Sequence, residues 1–173
     1  YTNVYVNDYQ LTADPLTKLD HVAWGILKHL FPENNIPVME LSIPMYRPIN
    51  YHYNMAQQLK KLIDKGILII GSGNIVHNLN LGVLKKFTFS KKPFDWAIEM
   101  DEWTKYNLDN KNWGELFNYG SKGKLSRLAI NTAEHYLPML YIISMIEEKE
   151  EIEHTYEEVY SAVSMRSFVS KFS

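Results

Sequence analysis

"GILIIGSGNIVHNLNL", residues 66–81, is the stretch on which the fold turns. Its "ILII" (67–70) is a short unbroken apolar run of the kind a strand buried on both faces shows, and two glycines and a histidine follow within seven residues. Three readings of the loop stand open: a phosphate cradle, a turn that merely closes a core, and a catalytic site at the end of a sheet strand. The cradle is weakest, because Val76 stands where the third glycine of a dinucleotide pattern belongs and no Lys-Ser or Lys-Thr pair follows. The bland reading makes Gly71 and Gly73 a tight strand-to-helix turn and His77 an ordinary half-buried imidazole. Location favours the third, since ligands of open α/β sheets gather outside the carboxyl ends of the strands.

Working outward, "NYHYNMAQQLKKLIDKG" before this stretch sets Met55, Leu59, Leu62 and Ile63 on one helical face, with Gly66 where a C-terminal cap glycine belongs. "IPVMELSI" (36–43) is β-rich and bounded by turn residues, which predicts a strand. Earlier still, "HVAWGILKHLF" spaces Trp24, Leu27 and Phe31 three to four apart, a helical stripe stopped by Pro32. Strand, helix, strand in succession predicts a βαβ unit and an α/β fold, with a mostly parallel central sheet flanked by helices. "FDWAIEMDEWTKYNL", "WGELFNY" and "YLPMLYIISMIEE" predict further helices. Pro138 is best accepted in the first turn of the last one, which puts His135 at or just before its N-terminus. The tail from His154 alternates enough for one or two strands, a helix being the alternative, and "EEKEEIE" (147–153) reads as a solvated connection.

The chain has 173 residues, 46% hydrophobic, which suits a single domain over 1–173. A net charge of −2 leaves no broad basic field, so nucleic acid is not an expected partner. No apolar run is long enough to span a bilayer and no basic patch with a hydrophobic core opens the chain, so a cytoplasmic protein without a membrane partner is expected. With no cysteine, disulfides, thiolate metal sites and thiol nucleophiles are excluded, leaving histidine, carboxylate and hydroxyl chemistry. Of the six histidines, His21, His77 and His135 lie beside expected helix beginnings and are the candidates. His29, like Lys28 and Lys60, falls on a polar helix face; His52 and His154 read as structural. Imidazoles ligate iron and zinc and exchange protons near neutral pH. Their spacing along the chain leaves open whether the three candidates meet.

"LDHVAWGILKHLFPENNIPVMELSI", "GSGNIVHNL", "AEHYLPMLY" and "SMRSF" together resemble the class III extradiol ring-cleavage dioxygenases, in the branch similar to DOPA 4,5-dioxygenase, the match running in the same order over most of the chain from about Leu19 to the C-terminus. The resemblance implies an α/β sheet flanked by helices, and a non-haem Fe(II), with Zn(II) an alternative occupant, that binds a small catechol and O2. It implies His135 as a metal ligand, His77 as acid-base catalyst or additional ligand, and His21 as a contact to the substrate or its oxygens. Val22 departs from the family's glycine after the first of these histidines, which bears on the choice of substrate. The family's first two metal-binding histidines lie in an N-terminal segment without a counterpart here. The 173 residues are therefore expected to be the C-terminal two-thirds of a longer member, the alternative being a non-catalytic or truncated relative that acts as a binding subunit.

Overall fold

The computed structural model describes residues 3–6, 9–12, 18–80 and 92–171. The chain divides into two units, residues 1–46 and residues 47–173. In the first, β1 (Asn3–Val6) and β2 (Tyr9–Thr12) form an antiparallel hairpin with Val4 opposite Leu11 and Tyr5 opposite Gln10. Helix α1 (His21–Leu30) follows where the three-to-four spacing predicts it, and Lys28 and His29 in its last turn suit the negative end of the helix dipole. Phe31 N–H still donates to the Leu27 carbonyl (2.7 Å) before Pro32 withdraws the next donor.

In the second unit, α2 (Ile49–Ile63) buries His52, Met55, Ala56 and Leu59, the i, i+3, i+4, i+7 stripe of one face. It ends as predicted: Gly66 takes φ 75° and the Gly66 and Ile67 amides return to the carbonyls of Ile63 and Leu62. Helix α3 (Asp95–Asp109) buries Ala97, Met100, Asp101, Thr104 and Leu108 in the same spacing. A short α4 (Trp113–Phe117), a 3-10 turn (Tyr119–Lys122) and α5 (Lys124–Ala129) lead to α6 (Leu137–Met145). Helix α6 has Pro138 in its first turn and is buried on nearly every side, as its continuous apolar sequence requires; α2 is its main packing partner.

The C-terminal region is all β. Strand β3 (Glu151–Tyr156) pairs antiparallel with β6 (Ser167–Lys171) across a bulge near His154, and the hairpin β4 (Val159–Tyr160), β5 (Val163–Ser164) lies between them in sequence. Ser161 has φ 50° in that two-residue turn. The "EEKEEIE" run is therefore not simply a solvated connection: Glu150 is buried and Glu151–Glu153 belong to β3.

The architecture is α/β, combining helices with small antiparallel sheets. Neither 36–43 nor 67–70 forms a paired strand among the described residues. Among the described residues neither has a neighbouring strand as a partner. Ile67, Leu68 and Ile70 are 47%, 68% and 45% exposed, and an apolar run becomes a central strand only when neighbouring strands take its backbone groups. Strand-like pairing begins a few residues later. The His77 backbone bridges Ile130 in parallel and Val163 antiparallel, and Ile75 and Val76 are buried.

Candidate active site

Gly71 and Gly73 do not act through left-handed backbone, since among the described residues the positive-φ glycines are Gly66 and Gly123. They act through closeness. A Cβ on Gly71 would lie 2.8 Å from Ile142 Cγ1 and 2.9 Å from the Pro138 carbonyl oxygen. A Cβ on Gly73 would intrude on the His135 carbonyl oxygen, with Pro138 Cγ at 3.2 Å. The glycines thus let the 71–77 segment lie directly on the start of α6, the element that carries His135. The atoms they meet include carbonyl oxygens, which repel phosphate, so the cradle reading loses its physical basis here.

The same segment is pinned from two other sides. His77 N–H donates to the Ala129 carbonyl (2.9 Å), Asn78 N–H to Ala162 (3.1 Å) and Ser164 N–H to Val76 (2.9 Å). The Asn74 and Asn78 side-chain amides donate to the Ser164 (2.9 Å) and Leu128 (2.7 Å) carbonyls. His135 sits in the turn before α6, closed by the Tyr136 and Leu137 amides on the Ala133 carbonyl. Fully buried Tyr136 donates its hydroxyl to the Leu116 carbonyl (3.1 Å), and burial raises its phenol pKa well above the ordinary value.

Together these constraints bring His77 and His135 face to face: their ring centroids are 3.6 Å apart and the planes 23° from parallel. Fifty-eight positions of chain separate them. The His77 pKa is lowered, first by burial and then by the neighbouring His135, so its neutral form is favoured at neutral pH. Glu134 acts electrostatically on both rings. Burial opposes ionisation of its carboxyl group, but the Thr132 hydroxyl (2.6 Å), a backbone amide and the two imidazoles outweigh it, and its pKa is lowered. The second carboxylate oxygen, Oε2, is buried without a hydrogen-bond partner.

Neutral imidazoles are the donors a first-row divalent ion takes, so His77 and His135 fit as two ligands of one. Imidazole lone pairs lie in the ring planes, so a shared ion requires one of the stacked rings to turn about its Cβ–Cγ bond. Among the described residues no three His, Asp or Glu side chains converge on one ion position. The His21 side chain lies outside the described residues.

His52 and His154 are structural, as the sequence suggests, and His29 is exposed on α1. His52 is buried in α2 against the Tyr141 hydroxyl (3.2 Å), and burial lowers its pKa. His154, with its side chain 7% exposed, bridges Asp109 (2.8 Å) and Arg166 (3.2 Å). Two features escape a reading by histidines alone. Glu134 is one; its only signal is adjacency to His135. The other is the buried Arg166–Asp101 pair, joined by Ser164 Oγ on Asp101 (2.6 Å), which anchors β5, the strand flanking His77. Two positions 65 apart offer no sequence signal for such a pair.

A family described as the catalytic LigB subunit of aromatic ring-opening dioxygenase matches residues 3–169. The 4,5-DOPA dioxygenase extradiol of Escherichia coli (strain K12) is 37% identical over 138 residues, covering 77% of this chain and 49% of that protein. The protein of the same name from Beta vulgaris is 34% identical over 129 residues, 75% of this chain and 47% of its own length. The chain thus spans about half the length of the curated relatives it matches. A crystal structure of an uncharacterized protein from Escherichia coli K12 superposes with a TM-score of 0.77 at 33% identity, covering 88% of this chain and 62% of that one. With the stacked imidazoles on blocks that the family resemblance rests on, and the match running nearly end to end, this chain belongs to the LigB family of aromatic ring-opening dioxygenases, the class III extradiol group.

Proposed function

We propose that the full-length protein opens the aromatic ring of a small, DOPA-like catechol with O2, and that His77 and His135 belong to its catalytic centre. The observation that carries this reading is the 3.6 Å stack of these two imidazoles in a chain of this family. Fe(II), or Zn(II) as an alternative occupant, would be held by His135 with His77 beside it, the remaining ligands lying beyond the described residues. A bound iron would supply coordination positions for catecholate and O2 and the redox capacity to join them. His77 is the acid-base group. Burial and His135 favour its neutral form, which accepts the proton of a catechol hydroxyl and later returns it to oxygen. His135, held by the turn at the start of α6, sets the distance from which His77 works. His21 is assigned to the substrate or its oxygens. A mostly parallel sheet belongs to the same reading, supported by the parallel bridge at Ile130, as does a cytoplasmic location. No helix among the described residues is long and apolar enough to cross a membrane.

Anaerobic Fe(II) reconstitution of the full-length protein, followed by a catechol and air, tests the reading. A yellow ring-opened product is expected, and His77→Ala should abolish it while preserving the fold; a reconstituted wild type that forms no product removes the catalytic claim. A second reading, a non-catalytic binding subunit, is favoured by one observation: no three-ligand set occurs among the described residues. It predicts that the purified full-length protein retains neither iron nor zinc by elemental analysis after reconstitution.

A further inference from the structure

We propose that Ser164, with the buried Asp101–Arg166 pair behind it, is the positioning residue of the His77 centre, and that this is the role of the "SMRSF" block (164–168); the inference rests on the ring-opening reading above. Ser164 is 1% exposed, and each of its polar groups is engaged. Its N–H donates to the Val76 carbonyl (2.9 Å) and its carbonyl accepts the Asn74 amide (2.9 Å), so both backbone groups hold the segment that ends at His77. Its hydroxyl donates to Asp101 Oδ1 (2.6 Å) and accepts the Arg166 N–H (3.2 Å). One side of the residue thus grips the 74–76 backbone, and the other grips α3 through Asp101.

Arg166 closes the grip. Its Nε and Nη2 reach the two Asp101 oxygens at 3.0 and 2.5 Å, the forked contact of a guanidinium on a carboxylate, and its Nη1 donates to Glu157 (2.8 Å). With side chains 4% and 6% exposed, this pair tolerates little change of angle, because a tilt leaves a charge without its partner away from water. The start of α3 is tied to the same hairpin, Phe94 N–H donating to the Ser161 carbonyl (2.9 Å). Helix α3 therefore fixes β5, β5 fixes Val76, and the His77 ring follows from its backbone. Well-packed apolar residues at 101 and 166 would hold the fold about as well; what they would not hold is the angle of β5.

The test uses Ser164→Ala in the full-length protein, which keeps the backbone bonds to Val76 and Asn74 and deletes only the hydroxyl. Ser167→Ala is the control, a serine of the same block whose hydroxyl reaches the Met165 carbonyl (3.3 Å) and no part of the 74–77 segment. In the metal-free protein, amide hydrogen exchange of His77 is compared with that of Leu140 in buried α6, and the mutual ring-current shifts of the His77 and His135 C–H protons report the stack. Ser164→Ala is expected to speed exchange at His77 relative to Leu140 by about tenfold or more and to reduce the ring-current shifts, while Ser167→Ala changes neither. On the Fe(II)-loaded protein, kcat of Ser164→Ala should fall by about tenfold or more with KM within about twofold of wild type. Equal acceleration at both amides with the ring shifts and kcat retained, the mark of a purely structural role, overturns the proposal, as does a variant identical to wild type. Should Ser164→Ala fail to fold, Asn74→Ala, which releases the Ser164 carbonyl from the other side, must give the same local exchange and loss of ring shift; their absence overturns the proposal. A wild type that opens no catechol ring, while Ser164→Ala still loosens His77, refutes the ring-opening reading alone.

Discussion

Gly73→Ala is the perturbation that best probes how this site is built. The added methyl group would meet the His135 carbonyl oxygen, and Pro138 Cγ at 3.2 Å, where an ordinary van der Waals contact begins at 3.4 Å. The obstacle is backbone, so it cannot rotate away; the 71–77 segment or the start of α6 must move by several tenths of an ångström or more. Overpacking of this kind costs about 1–3 kcal/mol, which in a chain of this size lowers the melting temperature by roughly 3–10 °C. The displacement also separates the His77 and His135 rings, and misplacement by about 1 Å costs on the order of a hundredfold in rate. Gly114→Ala is the control: nothing lies within 4 Å of its Cβ position in α4, so it should be neutral or stabilise by up to about 1 kcal/mol. Urea unfolding at constant m-value reads the stability and ring-opening turnover of the full-length protein reads the geometry. A Gly73→Ala protein with wild-type stability and turnover would refute the claim that close approach is why glycine stands there.

Other outcomes follow from the buried polar groups. His52 and His77 both have pKa values lowered from 6.5 by burial, so the unfolded chain binds more protons just below that pH. Their stabilising contribution is complete above about pH 6.5 and is lost as pH falls through the folded values; melting temperature should drop between pH 7.5 and 5.5, and His52→Gln should flatten the slope. An unchanged slope in that variant would contradict the assignment. Arg166→Met leaves Asp101 buried without its cation, in a pair whose side chains are 4% and 6% exposed. It should cost about 3–5 kcal/mol by chemical denaturation, whereas replacing both partners with apolar residues should cost far less. Tyr136→Phe removes the buried hydroxyl from the Leu116 carbonyl and should cost about 1–3 kcal/mol, read as a lower urea midpoint.

Much of this protein is local and therefore written in its sequence. The stripe of Met55 and Leu59, the cap at Gly66 and Pro138 in the first turn of α6 depend on neighbours three or four residues away, and the structure keeps all of them. The "SGN…HNL" and "EHYLP" blocks carry the family in the same direct way. Strands are different, because an apolar run is a strand only if another segment accepts its hydrogen bonds. Among the described residues "ILII" and "IPVMELSI" have the composition without a paired neighbour, while the less conspicuous tail pairs as β3 to β6.

The histidines show the same division. Residue type and helix-start position singled out His77 and His135, but nothing in their spacing could bring them to 3.6 Å. That distance depends on two glycines thin enough to lie on α6, on Ala129 and Ser164 bonding either side of the 76–77 backbone, and on an Arg166–Asp101 pair closed over 65 residues. The sequence alone determined which side chains are available for chemistry; tertiary packing decided which of them meet, because contact between distant segments is set by burial and backbone pairing rather than by position along the chain.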